Sequence, residues 1–181
     1  MNRISMKQIC VGMAFAAAAM TSVGARAVDV AVNMIDASGN ATAIGSVSLV
    51  NSPYGLLITP NLTGLPPGLH GFHLHEKASC ANTTVDNVVT VGGGAGSHWD
   101  PDHTGKHEGP YGQGHLGDLP GLYVAADGSA TTPVLAPRIK DAAQLHGMAL
   151  MIHAGGDNHS DHPAKFGGGG ARIACGVITA N

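Results

Sequence analysis

The stretch Gly71-Phe72-His73-Leu74-His75-Glu76 decides the fold of this 181-residue chain. Side chains two residues apart on a β-strand point to the same face, so an extended backbone places His73 and His75 side by side. A strand presents two imidazoles to one metal ion in this way. The rest of the chain is interpreted as a scaffold that brings further ligands to this strand.

Further ligand types follow in two other segments. Residues 97–120 supply five candidates among many glycines: His98, His103, His107, His115 and Asp118. His153 ends the apolar run Met148–Ile152. A lone histidine is more often a surface or core residue than a ligand, but eleven histidines with an H-x-H pair favour metal binding. Imidazoles without nearby thiolates or methionines favour copper(II) or zinc, an aspartate beside three imidazoles suits zinc, and more than four histidines suggest two metals.

Residues 1–27 have the composition of a signal peptide. Arg3 and Lys7 precede an apolar stretch from Ile9 to Met20, and Ala25-Arg26-Ala27 fits a small-x-small cleavage site. The apolar run is short for a membrane span, although a retained anchor is the alternative. We expect export to the periplasm, with residues 28–181 forming one domain and no membrane attachment after processing.

Charge excludes one class of partner. Six basic and twelve acidic residues remain after residue 27, a formal net charge of −6. An acidic chain without a basic stripe argues against nucleic-acid binding. It equally gives no reason to expect binding to an anionic membrane.

Two cysteines remain after processing, Cys80 and Cys175. In an oxidising compartment such a pair can form a disulfide, here across 95 residues, which the loop-entropy model values at roughly 4 to 5 kcal/mol. Two thiolate metal ligands are the alternative, but neither cysteine belongs to a C-x-x-C pair.

Short apolar segments separated by turn residues predict an all-β fold with almost no helix. Strands are predicted at 28–35, 41–50, 54–59, 148–153 and 172–179, and a hairpin around Asp127-Gly128. Residues 141–146 could form one helical turn. The glycine-rich segments 81–121 and 154–170 read as long loops held by something other than secondary structure.

Four motifs resemble the signatures of the copper/zinc superoxide dismutases, with the bacterial periplasmic branch fitting best. They are Gly71–Glu76, His98–Pro101, Gly114–Pro120 and Gly167–Val177. The resemblance covers essentially the whole chain after residue 27. It implies a Greek-key β-barrel or sandwich of about eight antiparallel strands with two long functional loops.

The resemblance also implies the site residues. Copper is expected on His73, His75, His98 and His153, and zinc on His98, His107, His115 and Asp118, one ion of each per subunit. His98 would bridge the two metals as an imidazolate. Asp157 matches the carboxylate that links a ligand histidine of each metal, Arg172 the arginine beside the open copper face, and Cys80 and Cys175 the family disulfide. The Gly105-Lys106-His107 context favours His107 over His103 for zinc.

The implied reaction converts superoxide to dioxygen and hydrogen peroxide through a copper(II)/copper(I) cycle, with zinc structural. In the family the bridging histidine, which corresponds to His98, also takes up a proton. His98 and Arg172 are therefore the expected catalytic residues. Since superoxide is an anion and the chain is acidic, local positive potential must guide it, with Arg172 as the main candidate and Lys165 as a secondary one.

The sequence also allows two other functions. One is a metal buffer or copper-delivery protein on the same fold, which would not need Arg172. The other is a zinc hydrolase, for which no general-base carboxylate stands in a recognisable motif. A homodimer, with Trp99 at a contact, is also left open.

Overall fold

The computed structural model describes residues 27–180. Apart from Ala27, the predicted signal peptide lies outside the described residues. None of the helical segments within 27–180 has the length and hydropathy of a membrane span.

The described chain is built from strands and three short 3₁₀ turns. In chain order the strands are β1 (Val28–Ile35), β2 (Ala41–Ser52), β3 (Gly55–Leu62), β4 (Gly68–His70), β5 (Phe72–His75), β6 (Thr83–Val85), β7 (Val88–Thr90), β8 (Leu122–Val124), β9 (Val134–Ala136), β10 (Ala149–His153) and β11 (Arg172–Val177). The 3₁₀ turns are Gly93–Ala95, Ala142–Leu145 and Phe166–Gly168.

Seven strands form one curled antiparallel sheet in the order β5-β10-β11-β1-β2-β3-β9. Strands β4 and β8 pair separately, as do β6 and β7. Because β10 and β11 lie between β5 and β1, the chain crosses over in the Greek-key manner rather than as a simple meander. The predicted all-β class is confirmed, although the described residues hold more strands than the eight expected because several are only three residues long.

Alternation of burial explains why β1 forms where it does. Val28, Val30 and Val32 are buried while Asp29 and Ala31 are exposed. Each fully buried valine contributes about 1.5 kcal/mol or more, so this face fixes the strand in the sheet. The same core takes in apolar side chains from β2, β3, β5, β8 and β10.

A bulge in β2 requires glycine. The pairing of β1 with β2 shifts register between Val32 and Asn33, opposite Gly45. Gly45 has φ of 130°, and a Cβ there would collide with the carbonyl oxygen of Asn61 on β3. Only glycine allows the backbone to approach so closely at this φ.

The pairing of β5, β10 and β11 positions the histidines. On β5, Phe72 and Leu74 pack into the core, which leaves His73 and His75 on the opposite face. β10 lies alongside β5, with Met151 opposite His73. On its other side β10 pairs with β11, so that His153 is opposite Arg172.

The Cys80–Cys175 disulfide is present, as predicted, with the two Cα atoms 5.8 Å apart. It joins the loop that follows β5 to the buried middle of β11, where Cys175 pairs with Met151 of β10. The loop is therefore anchored to the sheet close to the histidine strands.

Two local predictions differ from the structure. The turn at Asp127-Gly128 forms, with the Ala125 N–H bonded to the Ser129 carbonyl, but β8 and β9 do not pair beyond it, since β8 pairs with β4 and β9 with β3. The segment 81–121 also contains a small hairpin, β6–β7, whose turn residues Asp86 and Asn87 both have positive φ. The predicted turn at 141–146 forms as a 3₁₀ turn capped by the Asp141 side chain.

Candidate metal centre

Four histidines converge beside β5 and β10. His73 and His75 come from β5, His153 ends β10, and His98 lies in the segment 81–121, which we call the first loop. One nitrogen from each ring lies within 4.8 Å of the others, and all four residues are buried. We call this set the four-histidine group.

Three of these rings are held on one side by a hydrogen bond and have a free nitrogen on the other. The bonds are His73 Nε2 to Asp157 Oδ2 at 2.7 Å, His75 Nδ1 to the Gly96 carbonyl at 2.9 Å, and His153 Nδ1 to the Gly170 carbonyl at 3.1 Å. The opposite nitrogens of the same rings are buried without any hydrogen-bond partner. Buried nitrogens without partners are costly, and nitrogens that converge suit a bound cation.

A second group adjoins the first and shares His98. It consists of His98, His107, His115 and Asp118, again buried and with ligand atoms within 4.8 Å of one another. The Nδ1 atoms of the three rings lie 2.9, 3.0 and 3.3 Å from Asp118 Oδ1, in that order. His107 Nδ1 is not in hydrogen-bond geometry and has no other partner. We call this set the aspartate-containing group.

Asp157 connects the two groups. Its Oδ2 accepts the hydrogen bond from His73, and its Oδ1 accepts one from His107 Nε2 at 2.8 Å. These three residues also form a compact donor set, but both carboxylate oxygens already bind imidazole N–H groups. The arrangement is that of a carboxylate which orients two ligand rings.

Burial sets the protonation of the four-histidine group. It lowers the pKa of His73 to about 3, of His75 to about 2 and of His153 to about 4. Burial also lowers the pKa of His98. These imidazoles are therefore neutral at neutral pH, and a neutral imidazole is the form that binds a metal.

The aspartate-containing group differs in its electrostatics. Burial alone would lower the pKa of His107, but Asp118 and Asp157 beside it raise this pKa to about 9. Burial would raise the pKa of both aspartates, yet His107 together with His98 or His73 holds each pKa well below its usual value. The carboxylates are therefore ionised and the site attracts a cation.

Arg172 borders a cavity that opens onto the four-histidine group. The cavity measures about 220 Å³ and is lined by His75, Ser97, His98, His153, Lys165, Phe166, Gly170 and Arg172. The Arg172 guanidinium is half-buried and donates to the carbonyls of Gly92 and Gly96, each at 2.6 Å. It is thus held in place next to the histidines as a fixed positive charge.

Arg138 is a supporting residue that the sequence did not reveal. It donates from Nη1 to the His115 carbonyl at 3.1 Å and from Nη2 to the Gly114 carbonyl at 2.8 Å. It therefore fixes the backbone of one member of the aspartate-containing group. Both acceptors are backbone atoms, so no residue pattern signals the contact.

The remaining histidines lie outside both groups. His103, His146 and His162 are exposed and His159 is partly exposed. His70 is buried, and its Nδ1 lies 2.8 Å from the His153 carbonyl oxygen, so it supports β10 rather than offering a ligand. Trp99 is partly buried and packs against the core.

The donor sets fit copper and zinc. Four neutral imidazoles with converging free nitrogens suit copper(II), and three imidazoles with an ionised carboxylate suit zinc. Within residues 27–180 one further set of candidate ligands is found, His73, His107 and Asp157, and its carboxylate already binds the two rings.

Comparison with known proteins agrees with this chemistry. Residues 43–178 match the family model described as copper/zinc superoxide dismutase. The superoxide dismutase [Cu-Zn] of Haemophilus ducreyi is 56% identical over 150 residues, covering 82% of this chain and 75% of the relative.

Two solved structures show the same fold. The Cu/Zn superoxide dismutase from Brucella abortus has a TM-score of 0.82 and 44% identity, covering 84% of this chain and 99% of the other. The monomeric copper, zinc superoxide dismutase from Salmonella enterica has a TM-score of 0.77 and 51% identity, covering 85% and 100%. The matched family model spans most of the described chain, both donor sets included, and the chain belongs to the copper/zinc superoxide dismutase family.

Proposed function

We propose that this protein is a superoxide dismutase that converts superoxide to dioxygen and hydrogen peroxide. The observation that carries the proposal is the pair of ligand groups sharing His98, with the Arg172 cavity opening onto one of them. Neither a buffer nor a hydrolase requires a fixed guanidinium at the mouth of a four-imidazole site.

The two donor sets support a metal assignment. We assign copper to His73, His75, His98 and His153, because they offer only imidazole nitrogens. We assign zinc to His98, His107, His115 and Asp118, because zinc accepts a carboxylate beside three imidazoles in a closed site. When bound, copper supplies one-electron redox chemistry between its two oxidation states, and zinc supplies charge and anchoring without redox chemistry.

The protein's part is to orient the imidazoles and to attract the substrate. Hydrogen bonds from the outer ring nitrogens fix the tautomer and direction of His73, His75 and His153. Arg172 places a positive charge on the cavity wall, which opposes the overall negative charge and favours entry of a small anion. Lys165 lines the same cavity and adds a second, exposed positive charge.

His98 is suited to handle a proton. It belongs to both groups, and its Nδ1 lies 2.9 Å from Asp118 Oδ1. If Nδ1 stays on the Asp118 side, the other ring nitrogen faces the four-histidine group and can take up or release a proton there. Hydrogen peroxide formation consumes two protons, so a proton carrier beside the cavity serves the reaction.

We propose further that residues 1–27 are a signal peptide, that residues 28–181 form the enzyme, and that it acts in the periplasm. The basic and apolar pattern of residues 3–20 supports export, and the disulfide is compatible with an oxidising compartment. The mass of the secreted protein checks the cleavage position. Sedimentation of the same sample decides between a monomer and the homodimer left open by the sequence.

The test of the function is superoxide dismutation by the protein loaded with copper and zinc, beside a His153→Ala variant of measured metal content. Fast turnover by the wild type, lost together with copper in the variant, is expected. A wild type that binds both metals without turnover would instead identify a metal buffer. Hydrolysis of esters or peptides without dismutation would identify a zinc hydrolase.

A further inference from the structure

Asp161 lies outside both ligand groups but joins the first loop, which carries His107, to the second loop. It belongs to the second loop, residues 154–170, between β10 and β11. Its Oδ2 accepts the backbone N–H of His107 at 2.9 Å, across 54 residues of sequence. Its Oδ1 accepts the backbone N–H of Phe166 at 3.1 Å. One carboxylate therefore holds a point on each of the two loops.

The first of these points is a ligand of the aspartate-containing group. The ring of His107 is directed by Asp157, but its backbone lies in a segment without strand or helix. A backbone N–H in such a segment has no partner in a strand ladder and needs another acceptor. Asp161 supplies that acceptor, and the position of His107 then depends on both aspartates of the second loop.

The second point is a strained residue over the shared histidine. Phe166 has φ of 55°, a conformation that a bulky side chain rarely adopts. Its ring centroid lies 5.0 Å from that of His98 and 6.1 Å from that of His115. Such a conformation persists only where the surroundings impose it, and the hydrogen bond to Asp161 is one such constraint.

We propose that Asp161 is a positioning residue that fixes the His107 backbone and the Phe166 ring relative to each other before any metal binds. The aspartate-containing group is thereby preorganised for zinc, and the Phe166 ring is kept against His98. This inference rests on the assignment of zinc to that group under the proposed function. Asp161 belongs to neither ligand group and does not line the cavity, so it acts through the residues it holds.

The test uses Asp161→Asn, whose side chain has the same shape but whose amide can accept only one of the two N–H groups. Asp102→Asn is the matched control. Asp102 is an exposed acid of the first loop that has no hydrogen-bond partner among the described residues, and the variant makes the same change in charge. Asp161→Glu restores two acceptor oxygens on a longer side chain.

Two measurements separate a positioning role from a general structural one. Amide hydrogen exchange in the metal-free protein is expected to accelerate roughly tenfold or more at His107, at Phe166 or at both in Asp161→Asn, because the amide keeps one acceptor at most, but not in strands β10 and β11. Zinc affinity, measured by chelator competition with zinc alone, is expected to fall about 10- to 100-fold, as when other supporting partners of metal ligands are removed. Asp161→Glu is expected to recover part of both effects.

The proposal is overturned if exchange at the two amides is unchanged, or if zinc affinity falls no further than in Asp102→Asn. It is equally overturned if exchange rises evenly through the strands or the variant loses its fold, since Asp161 would then be a general structural residue. Neither readout involves superoxide. If the wild type fails to dismutate superoxide while Asp161→Asn still shows both effects, the proposed function is wrong and the role of Asp161 stands.

Discussion

The four-histidine group and the aspartate-containing group meet at His98, yet different kinds of backbone position them. His73, His75 and His153 lie on β5 and β10, which pair with each other in the main sheet. His107 and His115 lie in the first loop outside the named strands, where side chains such as Asp157 and Arg138 fix the chain. Asp118 lies in the same loop, but its backbone pairs with His73 of β5 in an isolated β-bridge. Ladder hydrogen bonds preorganise His73, His75 and His153, whereas His107 and His115 depend on a few polar contacts outside the strands and on the metal.

The difference extends to protonation, and this gives the largest predicted effect. The pKa of His107 is raised to about 9, so below pH 9 zinc must displace a proton from that ring. The pKa values of His73 and His153 are lowered to about 3 and 4, so copper displaces no proton from them above pH 5. Zinc affinity should therefore rise about tenfold per pH unit between pH 6 and 9, while copper affinity stays nearly flat.

Two variants isolate the groups for this measurement. His153→Ala removes a member of the four-histidine group, so zinc can be titrated into the other group alone. His115→Ala does the reverse for copper. Equal pH slopes for the two metals would show that the groups do not differ in protonation as described.

Metal removal should expose the difference in backbone support. We expect amide exchange in the first loop around His107 and His115 to accelerate at least ~100-fold after chelation, because metal binding supplies much of the local stability. Amides of β5 and β10 should change little, since their partners are backbone atoms of neighbouring strands. Exchange mapped by NMR with and without zinc checks this, and uniform acceleration would mean that the barrel itself needs the metals.

The same contrast explains what sequence could predict. A strand has a period of two, so the spacing of His73 and His75 predicts that they share a face. The sequence likewise predicted the ends of β1, β10 and β11 within about two residues of those observed. The ligand sets came from motifs that resemble a known family, and the fold brings those residues together.

Prediction failed where the partner of a residue is distant backbone. Asp161 and Arg138 bind N–H and carbonyl groups that lie 54 and 23 or 24 residues away, and no residue pattern encodes such contacts. The Asp127-Gly128 turn likewise predicted a hairpin because turn residues act locally. The partner of β8 is β4, a distant segment of the chain that the turn residues do not specify. The loop-borne group was therefore recognisable by its ligands but not by its supports.

Asp157 is the contact through which the two groups affect each other. Asp157→Asn can no longer accept from both His73 Nε2 and His107 Nε2. We expect zinc affinity to fall about 10- to 100-fold, the usual effect of losing such a partner, and copper affinity to fall less because β5 still holds His73. Metal titration beside the exposed Asp29→Asn control checks both values. A larger loss for copper than for zinc would contradict the view that the strands suffice to place His73.

Arg138 tests the loop-borne group alone and should have the smallest effect. Arg138→Ala leaves the carbonyls of Gly114 and His115 without their charged donor, while the four-histidine group keeps all its hydrogen bonds. Because Arg138 is only half-buried, we expect a net loss of about 1.4 kcal/mol, which lowers zinc affinity roughly tenfold. Zinc competition assays beside the exposed Lys140→Ala control measure this. If copper affinity fell as much as zinc affinity, the two groups would share their backbone support, and the distinction between a strand-held and a loop-held site would fail.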